Sequence, residues 1–248
     1  MTDIHSHFLP VVDDGAVNLT EAVNMARMAA ANGTKRIITT PHFNINTPGT
    51  KEGLDFRREV YKRFVDAVAA EKIPVDVYFG CELYAASNID FLLKRGVYAT
   101  LAGSRYLLLE FDFSSRPEHI RDALALVATR GLVPVLAHPE RYIRIQADQR
   151  PVYDWVLSGC VIQVNKGSLE GEFGRGAFLC ANSLLRHGLV HVVASDTHSA
   201  RERTPDLSRV YAFIAENYSR SMADVLLKIN PDLIIADKHI KKAVPIPY

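Results

Sequence analysis

His5-Ser6-His7 and Asp196-Thr197-His198 each set two metal-binding side-chain types two residues apart. In an extended strand such neighbours point to the same side, so each pair can face one ion, and the two pairs can converge on it from different strands. Neutral imidazole and carboxylate together suit Mn, Zn or Fe. Asp14, His42, Glu82, Glu110 and His138 extend the set. Four carboxylates gathered in one place (Asp14, Glu82, Glu110 and Asp196) would repel one another unless cations neutralised them, which points to more than one ion with bridging carboxylates. Two or three ions a few ångströms apart can activate a water and hold a transferring phosphoryl group. Taken singly, each signal is weak. A His-x-His arises by chance, and a lone histidine or a strand-end glutamate is more often a surface, core or capping group. The specificity lies in the ensemble, because histidines and acids fall at the same end of several different strands. His119, His187 and His239 lie in or beside helical stretches and read as surface; His191 begins a strand and reads as structural.

These side chains form one site only if the fold gathers them. Short apolar, β-branched runs at residues 3–5, 36–39, 75–79, 106–110, 133–137, 161–164 and 191–194 read as strands. Helix-period stretches lie between them: 20–32 with Thr20 as N-cap and Gly33 just beyond the end, 54–71, 117–130 before Gly131, 152–157 before Gly159, and 177–187 before Gly188. Glycine just past a helix is the expected stop. A final helical pair covers 205–217 and 221–228. Strands apolar throughout, each followed by a helix, predict a parallel sheet covered by helices. Seven such units without a dinucleotide glycine fingerprint favour a closed α/β barrel, with an open doubly wound sheet as the alternative. Each predicted strand delivers a polar group at its C-terminal end, the rim where α/β barrels carry their active sites.

The 248 residues are enough for one large core, and we expect a single domain over 1–248. A formal net charge of +1 offers no footprint for nucleic acid or an anionic membrane. No apolar run approaches the ~20 residues needed to span a bilayer. The N-terminus lacks a basic region followed by an apolar stretch, so no secretory signal is expected. Cys81, Cys160 and Cys180 are odd in number and widely spaced, which argues against a disulfide framework and for a reducing, cytoplasmic setting.

With these residues in hand, the chain resembles the polymerase and histidinol phosphatase (PHP) superfamily. Within it, the chain is most similar to the bacterial manganese-dependent protein tyrosine phosphatases of capsular and exopolysaccharide gene clusters. The resemblance rests on Asp3-Ile-His-Ser-His7, Val12-Asp-Asp-Gly15, Ile38-Thr-Thr-Pro-His42, Gly80-Cys-Glu82, Tyr106-Leu-Leu-Leu-Glu-Phe111, Pro134 through Tyr142, Gln163-Val-Asn165, Val190 through His198 and Asn230-Pro231. It covers essentially the whole chain, in order. It implies a distorted (β/α)7 TIM-like barrel with three divalent ions, manganese first and iron, zinc or magnesium as alternatives. It also implies a division of ligands. His5, His7, Glu82 and Asp196 would hold one ion; Glu82 and Glu110 would bridge to a second ion with His138; Asp14, His42 and His198 would serve the third. Arg141 and Arg203 resemble the family's phosphate-binding arginines, with Arg201 as a substitute for Arg203. A planar guanidinium suits that role because it can hold two phosphate oxygens at once. The implied partner is a phosphotyrosine protein, the tyrosine-rich tail of a bacterial tyrosine kinase. The first helix keeps Glu21 and Arg27 but has fewer charges than the family's oligomer-forming helix, which leaves a homo-oligomer open.

The chemistry expected is hydrolysis of phosphotyrosine by a metal-activated hydroxide. A tyrosinate leaving group, with a conjugate-acid pKa of ~10, needs little acid assistance. His42 and His198 are the candidates for any proton transfer. Cys180-Ala-Asn-Ser-Leu-Leu-Arg186 matches the Cys-x5-Arg spacing of cysteine-dependent phosphatases, but it lies in a helix-like run without the glycine loop that chemistry needs. Competing readings are a histidinol-phosphate phosphatase, a TatD-like nuclease, and a metal-stabilised regulator of polysaccharide export without turnover.

Overall fold

A computed structural model describes residues 1–45 and 49–248. Its strands are β1 (Thr2–Asp3), β2 (Arg36–Thr39), β3 (His42–Phe43), β4 (Asp76–Phe79), β5 (Glu82–Tyr84), β6 (Tyr106–Glu110), β7 (Val133–Ala137), β8 (Val161–Asn165) and β9 (Val192–Ala194). The helices are α1 (Leu19–Ala31), α2 (Lys51–Ala70), α3 (Ile89–Arg95), α4 (Pro117–Ala128), α5 (Ile143–Ala147), α6 (Arg150–Leu157), α7 (Lys166–Glu170), α8 (Gly174–Arg186), α9 (Ser208–Asn217), α10 (Arg220–Asp224) and α11 (Asn230–Ile235). All strand pairs are parallel, in two ladders ordered β1-β2-β4 and β3-β5-β6-β7-β8-β9.

The two ladders are parts of one wall. β2 and β3 are a single strand interrupted at Thr40-Pro41, and β4 and β5 are one strand interrupted at Gly80-Cys81. Proline has no N–H to donate, which breaks the ladder there. Hydrogen bonds carry the register across the break, from Thr40 N to Ser6 O at 2.8 Å, Gly80 N to Thr39 O at 2.9 Å and Glu82 N to Pro41 O at 3.1 Å. Seven strand positions therefore remain, as the sequence predicts. The circle returns to its start through one parallel bridge, Ser6 to Thr197. Asp196 N donates to His5 O at 2.9 Å and His7 N to Thr197 O at 3.0 Å. The buried Asp3 carboxylate steadies this seam by accepting from Ser195 N at 3.1 Å. A seam of this kind, thinner than a full ladder, is where the barrel is distorted.

Alternation along the strands separates two layers. Tyr106, Leu108, Val135, Ala137, Val161, Val192 and Ala194 form an inner cluster with Ile4 and Ile38. Leu107, Leu109, Leu136, Ile162, Val164 and Val193 face outward and pack against the helices. Burying each such side chain contributes about 1.5–3 kcal/mol. The helices answer with matching stripes; α4 buries Ile120, Ala123, Leu124 and Val127 at helical spacing. The inner columns change character at their C-terminal ends. Glu110 continues the column of Tyr106 and Leu108, Asn165 that of Val161 and Gln163, and Asp196 that of Val192 and Ala194. A polar rim thus sits on an apolar plug.

Several local expectations are corrected. The N-cap of α1 is Asn18, whose side chain accepts from Glu21 N, and not Thr20. Thr50 caps α2, so that helix begins earlier than residue 54. α8 likewise begins before residue 177. The last helical segment passes through a wide π turn at Val225–Ile229 and continues to Ile235.

Candidate metal centre

His5, His7, Asp14, His42, Glu82, Glu110, His138, Asp196 and His198 meet at this rim. They fall into four overlapping groups, within each of which one donor atom per residue lies within 4.8 Å of the others: His7–Asp14–His42–His198, His5–His7–Asp196, His5–Glu82–His138 and His42–Glu82–Glu110. Glu82 is at the hub. Its Oε2 lies 3.1 Å from His5 Nε2, 3.4 Å from His7 Nε2 and 3.0 Å from His42 Nδ1, while Oε1 lies 3.1 Å from His138 Nε2. Glu110 lies 3.4 Å from His42 Nδ1 and 3.7 Å from His138 Nε2. Asp14, the most exposed member, is 3.5 Å from His42 Nε2 and 3.3 Å from His198 Nε2. The groups overlap: His7 is shared by the Asp14–His42–His198 and His5–Asp196 groups, and His42 spans two groups, one with each ring nitrogen.

Behind the cluster, hydrogen bonds fix how each ring points. His5 Nδ1 pairs with Gln163 Oε1 at 2.8 Å, and His7 Nδ1 with Asp13 Oδ2 at 2.8 Å. His198 Nδ1 pairs with the Asp196 carbonyl at 3.0 Å. In each case the other nitrogen is left facing the cluster, the usual way a protein orients a ligating imidazole. Asp13 is a residue the sequence reading missed. It also accepts from Gly15 N and His42 N, so it ties the loop after β1 to β3. The loop turns back sharply at Gly15, where a Cβ would lie 2.2 Å from His7 O. The signal was present as Asp13-Asp14-Gly15, but spacing alone does not say which of two adjacent acids turns inward. Gln163 Nε2 bonds Asn165 Oδ1 at 2.8 Å, and Asn165 Nδ2 reaches Asp196 Oδ2. One relay therefore runs from His5 to Asp196.

Charge is balanced within the site by mixing acids and bases. Burial, the largest influence on Glu82, pushes its carboxyl up, but His5 and His42 beside it overcome that and hold it well below the usual range. Asp196 is likewise held well below, burial being outweighed by His5, His7 and Arg203. Burial lowers His42, yet Glu82 and Glu110 raise it to about 10. His198 moves the other way, lowered by burial and by His7.

The donor set fits divalent cations. Glu82 Oε2, Glu110 Oε2, His42 Nδ1 and His198 Nε2 are buried polar atoms without a hydrogen-bond partner. Leaving such atoms unsatisfied costs about 1–3 kcal/mol each, and ions among them would relieve that cost. His138 and Asp196 also hold left-handed backbone at φ 34° and 50°, a conformation costing on the order of 1–3 kcal/mol for non-glycine residues and concentrated at functional sites.

Arg141 and Arg203 converge on the far oxygen of Asp196. Arg141 Nη1 is 3.3 Å and Arg203 Nη2 2.5 Å from Oδ2. Arg201, the alternative, is exposed, whereas Arg203 is turned inward with φ 49°. Cys180 is buried within α8, its thiol pushed up by burial, and Arg186 closes the same helix. Among the described residues no phosphate-cradling loop surrounds that pair, which lies within one helix, so the Cys-x5-Arg spacing is coincidental.

The family of capsular polysaccharide synthesis proteins CpsB/CapC matches residues 1–236. The chain belongs to that family. This CpsB/CapC chain is 31% identical over 252 residues to the tyrosine-protein phosphatase YwqE of Bacillus subtilis, covering 100% of this chain and 96% of YwqE. The tyrosine-protein phosphatase CpsB of Streptococcus pneumoniae is also 31% identical, with 97% of this chain and 100% of CpsB covered. A crystal structure from the pair YwqE and CpsB, metal-dependent tyrosine phosphatases, superposes with a TM-score of 0.92 at 29% identity, covering 100% of this chain and 99% of that one. The fold of this CpsB/CapC chain is thus the same ring of parallel strands from end to end.

Proposed function

We propose that this chain is a metal-dependent protein-tyrosine phosphatase acting in capsule or exopolysaccharide synthesis. The observation that carries the proposal is the convergence of nine ligand-type side chains, five of them with orphaned buried atoms, beside two inward-turned arginines. Its relatives of full length, YwqE and CpsB, are tyrosine phosphatases, which favours this substrate class over histidinol phosphate or DNA. We treat residues 1–248 as one domain.

We assign His5, His7, Asp14, His42, Glu82, Glu110, His138, Asp196 and His198 as ligands of three divalent ions, manganese first. Such ions would acidify a water to near neutrality and offset charge on phosphoryl oxygens. The rest is done by this chain's own side chains. Arg141 and Arg203 bind phosphoryl oxygens; in the structure Asp196 Oδ2 offers them an anionic oxygen of the same kind. Fixed guanidinium groups stabilise charge that grows in the transition state without reorganising. Asp13, Gln163 and Asn165 hold His7, His5 and Asp196 in orientation. We assign His42 and His198 to the ions and not to proton transfer, because both nitrogens of each ring already face cluster atoms or backbone. The leaving tyrosinate can take its proton from water, given its conjugate-acid pKa of ~10. We propose the tyrosine-rich tail of a bacterial tyrosine kinase as the physiological substrate and the cytoplasm as the place of action. Among the described residues, no helix is long and apolar enough to cross a membrane.

The test is a comparison of rates on a phosphotyrosine peptide, histidinol phosphate and DNA, before and after chelation and with manganese restored. The expected result is a preference for the phosphotyrosine peptide, abolished by chelator, restored by metal and kept in Cys180→Ser. Full activity in excess chelator that disappears in Cys180→Ser would overturn the proposal.

A further inference from the structure

Two aromatic side chains beside the arginines have no part in the ligand set. Phe113 follows β6, and Phe173 lies in the turn between α7 and α8; both are half-buried. The guanidinium of Arg141 lies over both rings, its Cζ 4.7 Å from the Phe113 ring centre and 4.3 Å from that of Phe173. Phe173 also lies 5.7 Å from Arg203 Cζ, so one ring flanks both arginines. Phe113 meets the His138 ring edge-on at 5.9 Å. Phe173 packs closely on Gly167, where a Cβ would come within 2.6 Å of Glu172 Oε2 and 2.8 Å of Phe173 Cε2.

Resting on the phosphatase reading above, we propose that Phe173 and Phe113 form the wall against which the substrate's leaving group packs, so that the site selects aryl over alkyl phosphate esters. The two guanidiniums keep donors for an anion beyond their contact with Asp196. Among the described residues, Arg141 makes one side-chain hydrogen bond, and Arg203 Nε is buried without a partner. A phosphoryl group held by these two guanidiniums carries its ester substituent next to the rings that already lie on them. A phenyl substituent can make an offset or edge-to-face contact there, and an alkyl chain cannot. Such aromatic pairs strengthen binding by about two- to tenfold beyond their buried area.

The competing reading is that the same rings serve only to steady Arg141 through cation–π contact. The two roles separate cleanly. A steadying ring affects every phosphate-like ligand alike, whereas a leaving-group wall affects only ligands that carry an aromatic substituent.

The experiment is calorimetric binding of phenylphosphonate and methylphosphonate to the metal-loaded full chain, in the parent, Phe173→Leu, Phe113→Leu and Gly167→Ala. These ligands share one anion and differ in the group attached to it. The parent should bind phenylphosphonate more tightly. Phe173→Leu should cut that preference by about three- to tenfold and leave methylphosphonate unchanged, and Gly167→Ala, which displaces the ring without removing it, should move in the same direction. Equal weakening of both ligands, or an unchanged preference in all three variants, would overturn the proposal. Binding needs no turnover, so a parent with aryl preference but no phosphotyrosine hydrolysis would count against the phosphatase reading and leave the wall standing.

Discussion

Asp13 is the residue whose role is sharpest in the structure and faintest in the sequence. It bonds His7 Nδ1 at 2.8 Å and two backbone N–H groups, and it lies outside the ligand groups themselves. Removing it frees the His7 ring to turn and deprives it of the carboxylate that sharpens its ligand character. Losses of about 10–100-fold in metal affinity are typical for such supporting residues. Asp13→Ala should therefore lose metal affinity by that factor, measured by competition with a chelator of known strength, while the folded content stays as in the parent. Unchanged affinity would mean that His7 is held by packing alone. The nine candidate ligands were legible because their residue types are chemically narrow and their spacing follows strand geometry. Asp13 was not, because only the path of the loop past Gly15 decides which of two adjacent acids turns inward. Phe113 and Phe173 were hidden for a related reason. They lie 60 residues apart in sequence and meet only across the guanidinium of Arg141.

At the scale of elements, β2, β6 and β7 follow their predicted boundaries because their apolar runs are bounded by charged or turn residues. The breaks at Thr40-Pro41 and Gly80-Cys81 were not foreseen, since a run of suitable residues does not show where a ladder shifts. His191, read as structural, links two strands: it is buried, and its Nδ1 accepts from Ile162 N at 3.0 Å. Burial lowers it to about 3 from an ordinary 6.5, with Lys242 adding to the effect. A base lowered on folding stays neutral in the native state while the unfolded chain takes up a proton. Its contribution to stability is present in full above pH 6.5 and is lost as pH falls from 6.5 toward about 3. The slope it adds approaches about 1.4 kcal/mol per pH unit. His191→Asn keeps an acceptor for Ile162 N and removes the titration. Its denaturant-derived stability in chelator should therefore fall less steeply between pH 6 and 5 than the parent's, by about 1 kcal/mol per unit. Identical slopes would show that His191 does not carry this dependence.

At the scale of the molecule, the barrel class was legible from seven apolar runs alternating with helices, and the thin seam between the first and last strands was not. The seam is made by Ser6 and Thr197, the central residues of the His-x-His and Asp-x-His motifs. Their backbones hold the ring together while the flanking side chains face the site, so the strands that complete the fold also complete the candidate centre. That coupling fixes where the ions must sit. Anomalous diffraction at the manganese edge, from crystals of active, manganese-loaded protein, locates them. Three peaks are expected, all within the rim bounded by His5, His7, Asp14, His42, Glu82, Glu110, His138, Asp196 and His198. An active protein with no anomalous density among those side chains, or with its ions bound elsewhere on the chain, would contradict that placement.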